Sequence, residues 1–226
     1  MKRLKRREAV RMALLNESVD AAAERAAESG LVKGVNALLP CLYDLEDLVR
    51  WRAVKAIGIL VDRLAEQDME AARVVMRRLM WNLNDESGGI GWGSPETFGE
   101  ILARNRDLAV EYCRILFSYA REDGNYLELP QLQRGLLWGI GRFTAARPEF
   151  VDPSAVEIRR YLASDDTAVR GFAAWVAGIM SIEEAKQDLG RLCDDRGVFS
   201  FFNGVSIEDK SVSEVAEEAL GRLPGD

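Results

Sequence analysis

The chain has 226 residues, of which 48% are hydrophobic and 30% are charged, and its formal net charge is −7. This composition is typical of a folded globular protein and argues against a disordered chain. Because the chain has no histidine, it lacks the commonest general base and metal ligand, and nucleophiles that histidine activates are excluded.

The three cysteines, Cys41, Cys113 and Cys193, are far apart and form no CxxC pair. Neither a zinc site nor a disulfide framework is therefore expected, and we predict no metal and no cofactor. Each cysteine lies in an apolar helical stretch, which is typical of small buried side chains in a reducing cytoplasm. No apolar run approaches the roughly 20 residues that cross a bilayer, so we predict a cytoplasmic protein without a membrane partner.

The first helices are predicted over 2–29, with a break at Asn16–Ser18 and a stop at Gly30. Lysine and arginine dominate the beginning of this segment, where Glu8 is the only acid among the first eleven residues. The basic patch is short, and the sequence pI is about 5.0. A nucleic-acid partner is therefore not expected.

A pattern of apolar and small residues recurs along the rest of the chain. An apolar residue is followed by small or apolar residues at +4 and +7 and by glycine at +9, and the starts lie 37 to 46 residues apart. The copies start at Val49, Leu132, Val169 and Val212, and a weaker one without the final glycine starts at Pro95. Small side chains at this spacing share one face of a helix and allow close packing against a neighbour.

Another helix is predicted before each copy, with its apolar residues on one stripe. These helices are predicted over 33–43, 69–83, 107–121, 153–163 and 182–193. Short polar turns, Asp44–Asp47 and Ser164–Asp166, join two of the pairs. The sequence therefore predicts helical hairpins repeated along the chain.

One junction, 194–211, contains residues that favour strands. Val198–Phe202 and Val205–Ile207 flank Asn203-Gly204, and Asn-Gly between such runs is a strong hairpin signal. We predict a small two-stranded ribbon near 198–207, inserted before the last helix and capping the C-terminal end.

The segment Leu38–Gly58 resembles a HEAT repeat, with proline in the first helix, acids in the turn and Val49-Arg50 opening the second helix. Ser164–Gly178 has the same acid-x-x-Val-Arg core, and the copies look most like the short HEAT-like repeats of phycobilin lyase subunits. The resemblance implies an all-α, right-handed α-α superhelix of the HEAT/armadillo type, with about five to six helix pairs. We predict a single domain over 1–226, with residues 1–30 as N-terminal cap helices.

The resemblance also implies ion pairs that join turns of neighbouring repeats. It pairs Asp166 with Arg170, and Glu46 or Asp47 with Arg50. Arginine is replaced by Gln133 and Ser213 in two other copies, so we expect an incomplete ladder.

The second helix of each pair is the one that carries the repeated pattern. Counted from the first residue of the pattern, positions +2, +6 and +10 of this helix point away from the predicted core. In the middle repeats they bring tryptophan and basic residues to one surface, namely Trp51, Lys55, Arg134, Trp138, Arg142 and Trp175. Tryptophan and arginine are enriched in binding hot spots, so we predict a concave binding face. The alternative is that these tryptophans pack between adjacent helices and stabilise the stack.

The loop 84–94 surrounds Trp92 with four glycines and begins with acids. Ser94 is predicted to cap the next helix, with Pro95 at its first position. We predict Asp85, Glu86 and Trp92 as contacts at the rim of the binding face, and a structural connector is the alternative. No catalytic residue is assigned, because adjacent acids in a loop are a poor acid–base pair.

These features predict an interaction or scaffold module that binds a protein partner, and a small ligand or tetrapyrrole stays possible. The resemblance leaves a HEAT-like enzyme open as the alternative, either a tetrapyrrole or bilin lyase subunit or an alkylbase DNA glycosylase.

Overall fold

The computed structural model describes residues 2–84, 91–150 and 157–224, with side chains from residue 6 onward. The chain divides into two compact units, residues 1–108 (unit 1) and 109–226 (unit 2). The single domain over 1–226 stays a prediction.

Unit 1 is built from helices that lie close to the predicted ranges. They are α1 Lys2–Asn16, α2 Val19–Ala27, α3 Leu31–Leu38 with a 3-10 turn at Leu39–Tyr43, α4 Asp47–Gln67, α5 Met69–Leu83 and α6 Ser94–Arg104. The boundary between the units falls within α7, Arg106–Ser118. The break after Asn16 and the stop at Gly30 are confirmed.

Unit 2 has five further α-helices and the two strands of the described residues. The elements are α8 Pro130–Ala146, a 3-10 turn at Pro148–Phe150, α9 Ile158–Leu162, α10 Thr167–Ile179, a 3-10 turn at Glu183–Ala185, α11 Lys186–Leu192, β1 Val198–Phe202, β2 Ile207–Ser211 and α12 Val212–Leu220. The predicted all-α repeat class with a small hairpin is confirmed.

Side-chain caps explain where several helices begin. The Oγ of Ser18 accepts a hydrogen bond from Ala21 N–H at 3.2 Å, and the Oδ1 atoms of Asp68 and Asp166 accept from the third residue after each of them. Ser211 and Glu214 form a capping box on α12. These oxygens satisfy amide groups that have no partner inside the helix.

The repeated small residues lie in helix contacts, as the sequence predicts. Val49, Ala53 and Ala56 of α4 are fully buried, and so are the matching residues of α10. A Cβ at Gly178 would come within 2.7 Å of the Ala219 Cα, so α10 and α12 approach closely because this residue is glycine. Such contacts would be strained by any larger side chain.

In the repeats that start at Val49, Leu132 and Val169, the side chain of the next residue ties the helix to the preceding turn. Arg50 and Arg170 donate to the carbonyl six residues upstream, Asp44 O at 3.1 Å and Ser164 O at 2.7 Å. Gln133 replaces arginine and donates to Leu127 O, again six residues upstream, at 2.9 Å. The glutamine therefore preserves the backbone bond that the arginines make.

The ion-pair ladder differs from the predicted one. Arg50 pairs with Asp47 at 2.5 Å, as predicted, but Asp166 pairs with Arg134 and not with Arg170. Arg170 instead donates to Asp195 at 2.7 Å. The prediction for Asp166 and Arg170 is wrong because Asp166 caps the helix that contains Arg170 and turns its carboxylate toward the preceding repeat.

The ribbon forms at the predicted place but extends further along the chain. Phe202 pairs with Ile207, and the antiparallel register runs to Val198 opposite Ser211. The four-residue connection is held by the Oδ1 of Asn203, which accepts from Val205 N–H and Ser206 N–H, and Gly204 has φ +101°. Strand β1 packs on α10 and reaches α8, so the ribbon covers helix faces in addition to contacting α12.

Candidate functional site

The predicted binding positions of unit 2 form a surface that we call the α8–α10 face: Arg134, Trp138 and Arg142 of α8, and Gly171 and Trp175 of α10. Trp138 is only 2% exposed. Its indole Nε1 donates to Phe202 O at 2.9 Å, and its ring lies beside the Phe202 ring. The prediction that Trp138 lines an open wall is therefore wrong, because strand β1 covers it.

The aromatic side chains of β1 also cover α10. Phe201 packs edge-on against Trp175, with ring centroids 5.1 Å apart. Phe199 fills the space at Gly171, where a Cβ would come within 2.1 Å of the Phe199 ring. An extended segment of the chain itself thus occupies the centre of the α8–α10 face.

The two arginines of this face have different surroundings. Arg134 is exposed and its Nε lies 3.0 Å from the Asp166 Oδ1, whereas Arg142 is half-buried. Arg134 therefore forms an ion pair with the next repeat. Binding of a partner by Arg134 or Arg142 stays a prediction.

In unit 1 the equivalent helices are α4 and α6, which run parallel. Lys55 meets Glu100, Gly58 lies against Glu100 and Arg104, and Asn105 donates to Asp62 at 3.0 Å. The contacts thus advance along both helices in the same direction, as expected for second helices of successive repeats. We call Trp51, Lys55, Glu96, Glu100 and Arg104 the α4–α6 face.

A buried carboxylate organises this face. Glu100 is fully buried, and its Oε1 lies 2.8 Å from Lys55 Nζ and 2.6 Å from Arg104 Nε. Gly58 makes the room, because a Cβ there would come within 2.6 Å of the Glu100 Cγ. A buried charge needs such partners, since removal from water is costly. Lys55, a predicted binding residue, is therefore held in place by Glu100.

Glu96 lies one turn before Glu100 and has a different environment. Burial raises its pKa from 4.5 to about 7, although its own backbone N–H and nearby Arg50 lower the pKa in part. Its Oε2 accepts no hydrogen bond from the described residues. A carboxyl group that changes charge near neutral pH is a marker of functional sites.

The tryptophans of unit 1 lie near the two ends of this helix pair. Trp51 is half-buried one turn before Lys55, and Trp92 is exposed just before α6. Gly93 has φ +73° and packs on Leu42, so only glycine suits the turn that follows Trp92. The helix begins at Ser94 with Gly93 as its cap, one residue earlier than predicted, and Pro95 lies in the first turn.

Two predicted rim contacts, Asp85 and Glu86, lie outside the described residues, and their role stays a prediction. The sequence reasoning missed Glu96 and Glu100. The available signal was the four-residue spacing of Glu96, Glu100 and Arg104, which places all three on one side of a helix.

Replacing Glu96 with glutamine should stabilise the protein at alkaline pH and have little effect in acid. Burial in the folded state raises the pKa of Glu96. The wild type therefore loses stability as the pH rises from about 4.5 to about 7 and the carboxyl group ionises. The glutamine variant has no such loss, so its free energy of unfolding should exceed that of the wild type by about 3 kcal/mol at pH 8. Urea unfolding at pH 4.5 and pH 8 measures this difference.

The control is Glu70→Gln, because ion pairing with Arg77 lowers the pKa of Glu70. That variant should lose stability at pH 8 and not gain it. A Glu96→Gln difference that is the same at both pH values would contradict the buried environment of Glu96.

Within residues 2–84, 91–150 and 157–224, no group of three or more acidic or cysteine side chains is arranged to hold a metal ion. None of the helices within those ranges is both long and apolar enough to cross a membrane.

Comparison with solved structures shows similarity to repeat proteins of the armadillo type. A computationally designed armadillo repeat protein for modular peptide recognition is 14% identical, with TM-score 0.52, and the match covers 96% of this chain and 91% of that chain. Another designed armadillo repeat protein, in complex with the peptide (KR)4, is 14% identical, with TM-score 0.51 and coverage of 96% and 98%. An engineered structural-genomics target is 15% identical, with TM-score 0.52 and coverage of 96% and 95%.

These similarities show the fold, and they do not support the phycobilin-lyase type of repeat. No family model matches the chain, and no curated protein is significantly similar to it in sequence.

Proposed function

We propose that the protein is a cytoplasmic interaction module that binds an extended segment of a protein partner across the α4–α6 face. Trp51 provides the apolar contact area, and the partly exposed side chains of Lys55 and Arg104 provide polar contacts. Trp92 is proposed as a further contact from the loop before α6.

The observation that carries this proposal is the position of β1 in unit 2. There an extended segment lies across α8 and α10, which are the second helices of two successive repeats. Its side chains contact Gly171 and Trp175. The same repeat positions in unit 1 are Trp51 and Lys55. The described residues of unit 1 form no strand, so a partner would supply the segment that unit 2 takes from its own chain.

The α4–α6 face has the properties of a prearranged binding surface. The pairing of Lys55 and Arg104 with buried Glu100 restricts three flexible side chains before any partner arrives. Binding then costs less side-chain entropy than it would on a mobile surface.

The comparison supports the same reading, because one of the similar designed proteins is in complex with a peptide. The alkylbase glycosylase alternative stays a prediction, and a duplex DNA gel shift with a base-release assay tests it.

The test is affinity capture of partners from native lysate on the immobilised chain, followed by mass spectrometry. We expect Trp51→Ala to lose a partner that the wild type retains, because hot-spot tryptophans often contribute tenfold or more to affinity. The matched control is Val205→Ser, since Val205 is exposed and lies in the ribbon of unit 2.

Both variants should keep the helical circular dichroism of the wild type. Overlapping peptides of the captured protein then show whether a short segment is sufficient for binding. Equal capture by Trp51→Ala and the wild type, or binding that requires the partner's folded domain, would reject the proposal.

A further inference from the structure

Helix α5 carries an exposed stripe that is distinct from the α4–α6 face. Its side chains are Glu70, Val74, Arg77, Arg78 and Trp81, spaced so that they share one side of the helix. We call this stripe the α5 face. Trp81 is 75% exposed and Val74 is 53% exposed. Large apolar side chains scattered singly on a surface are ordinary, but grouped ones mark interaction sites.

The apolar part of this surface continues onto α3. The Arg78 guanidinium donates to the Asn36 Oδ1 at 2.8 Å and so joins the two helices. Val32, one turn before Asn36, is also exposed. Val74 and Trp81 lie one helical turn before and one turn after the two arginines, so apolar area flanks them on α5.

The charge of this surface is opposite to that of the chain. Arg73 and Arg77 both pair with Glu70, at 3.6 Å and 2.6 Å, and Glu70 is the only acid of the α5 face. Arg78 bonds to the neutral Asn36 side chain, and Lys33 is exposed on α3. Positive charge therefore exceeds negative charge here, although the whole chain has a net charge of −7.

We propose that the α5 face binds an acidic segment of a partner protein that carries apolar residues among its acids. Arginine guanidinium groups pair with carboxylates in two-bond geometry, and tryptophan supplies a large contact area next to them. This surface uses different residues from the α4–α6 face and does not depend on the function proposed there.

A protein segment fits this surface better than a nucleic acid or an anionic membrane. A polyanionic surface would be repelled at long range by the net negative charge of the chain, whereas a short acidic segment carries only a few charges. The basic residues also lie in one small patch and not along an extended track, which nucleic-acid binding requires.

The test measures fluorescence anisotropy of labelled twelve-residue peptides with the full chain at low salt. The peptides are glutamate with leucine, glutamate with serine, and lysine with leucine. We expect the glutamate–leucine peptide to bind most tightly, and we expect Trp81→Ser and the double variant Arg77→Glu, Arg78→Glu each to weaken binding about tenfold or more. Val205→Ser, which removes a side chain that is also 75% exposed, should have no effect.

Several results would overturn the proposal. The three peptides could bind equally well, or none of the α5 variants could weaken binding. The chain could also bind heparin or phosphatidylserine vesicles more tightly than the glutamate–leucine peptide, through the same α5 residues. Sedimentation velocity of the chain alone gives a further outcome. Self-association that the Arg77→Glu, Arg78→Glu variant abolishes would identify a second copy as the occupant and would overturn the proposal.

Discussion

Replacing Trp138 with alanine should lower the free energy of unfolding by about 3–5 kcal/mol, because it removes a large buried side chain. Trp138 is 2% exposed, and its indole donates to the Phe202 carbonyl at 2.9 Å. The variant also leaves the ring of Phe202 without its neighbour, so the ribbon should loosen from α8. Urea unfolding followed by far-ultraviolet circular dichroism measures the loss.

The matched control is Trp81→Ala, since Trp81 lies mostly in solvent. Surface substitutions of this kind usually change stability by less than about 0.5 kcal/mol. If the two variants unfolded at the same urea concentration, Trp138 would not be buried beneath the ribbon. It could then belong to an open binding wall, as the sequence alone suggests.

Glu100→Gln should lower the free energy of unfolding by about 3 kcal/mol, because it leaves two cations without their buried anion. Lys55 and Arg104 both contact the Glu100 Oε1, at 2.8 Å and 2.6 Å. The glutamine side chain has nearly the same shape, so the loss reports on charge and not on packing. Urea unfolding at neutral pH measures the effect.

An exposed pair provides the comparison. Glu218 pairs with Lys210 at 3.3 Å on the surface of unit 2. Glu218→Gln should cost no more than about 1 kcal/mol, because water screens exposed ion pairs. A Glu100→Gln variant as stable as Glu218→Gln would show that the charges of the α4–α6 face are not buried together, and it would weaken the binding proposal.

The helical repeat could be predicted from the sequence because its signals are local. Helix α5 was predicted over 69–83 and has those bounds, since a single stripe of apolar residues and the capping Asp68 lie within the segment itself. The hairpin was predicted because Asn203-Gly204 lies between strand-forming residues. The second strand begins later than expected, at Ile207, because the turn uses four residues.

The candidate site was predicted only in part. Trp51 and Lys55 were identified by their spacing in α4, but Glu100, which positions Lys55, is 45 residues further along the chain and gave no sign of its burial. Arg170 shows the same limit. Asp166 precedes it by four residues and was its predicted partner, yet Arg170 pairs with Asp195, which the next turn brings beside it.

Periodicity and capping residues in the sequence determined that this protein is a series of helical hairpins, since each helix needs only its own apolar stripe and its own first and last turns. Only the tertiary structure decided which faces stay accessible. Trp138 and Phe202 are 64 residues apart, and it is the packing of β1 across α8 and α10 that buries the tryptophan. No local signal encodes that contact, because burial depends on which distant segment lies against a surface.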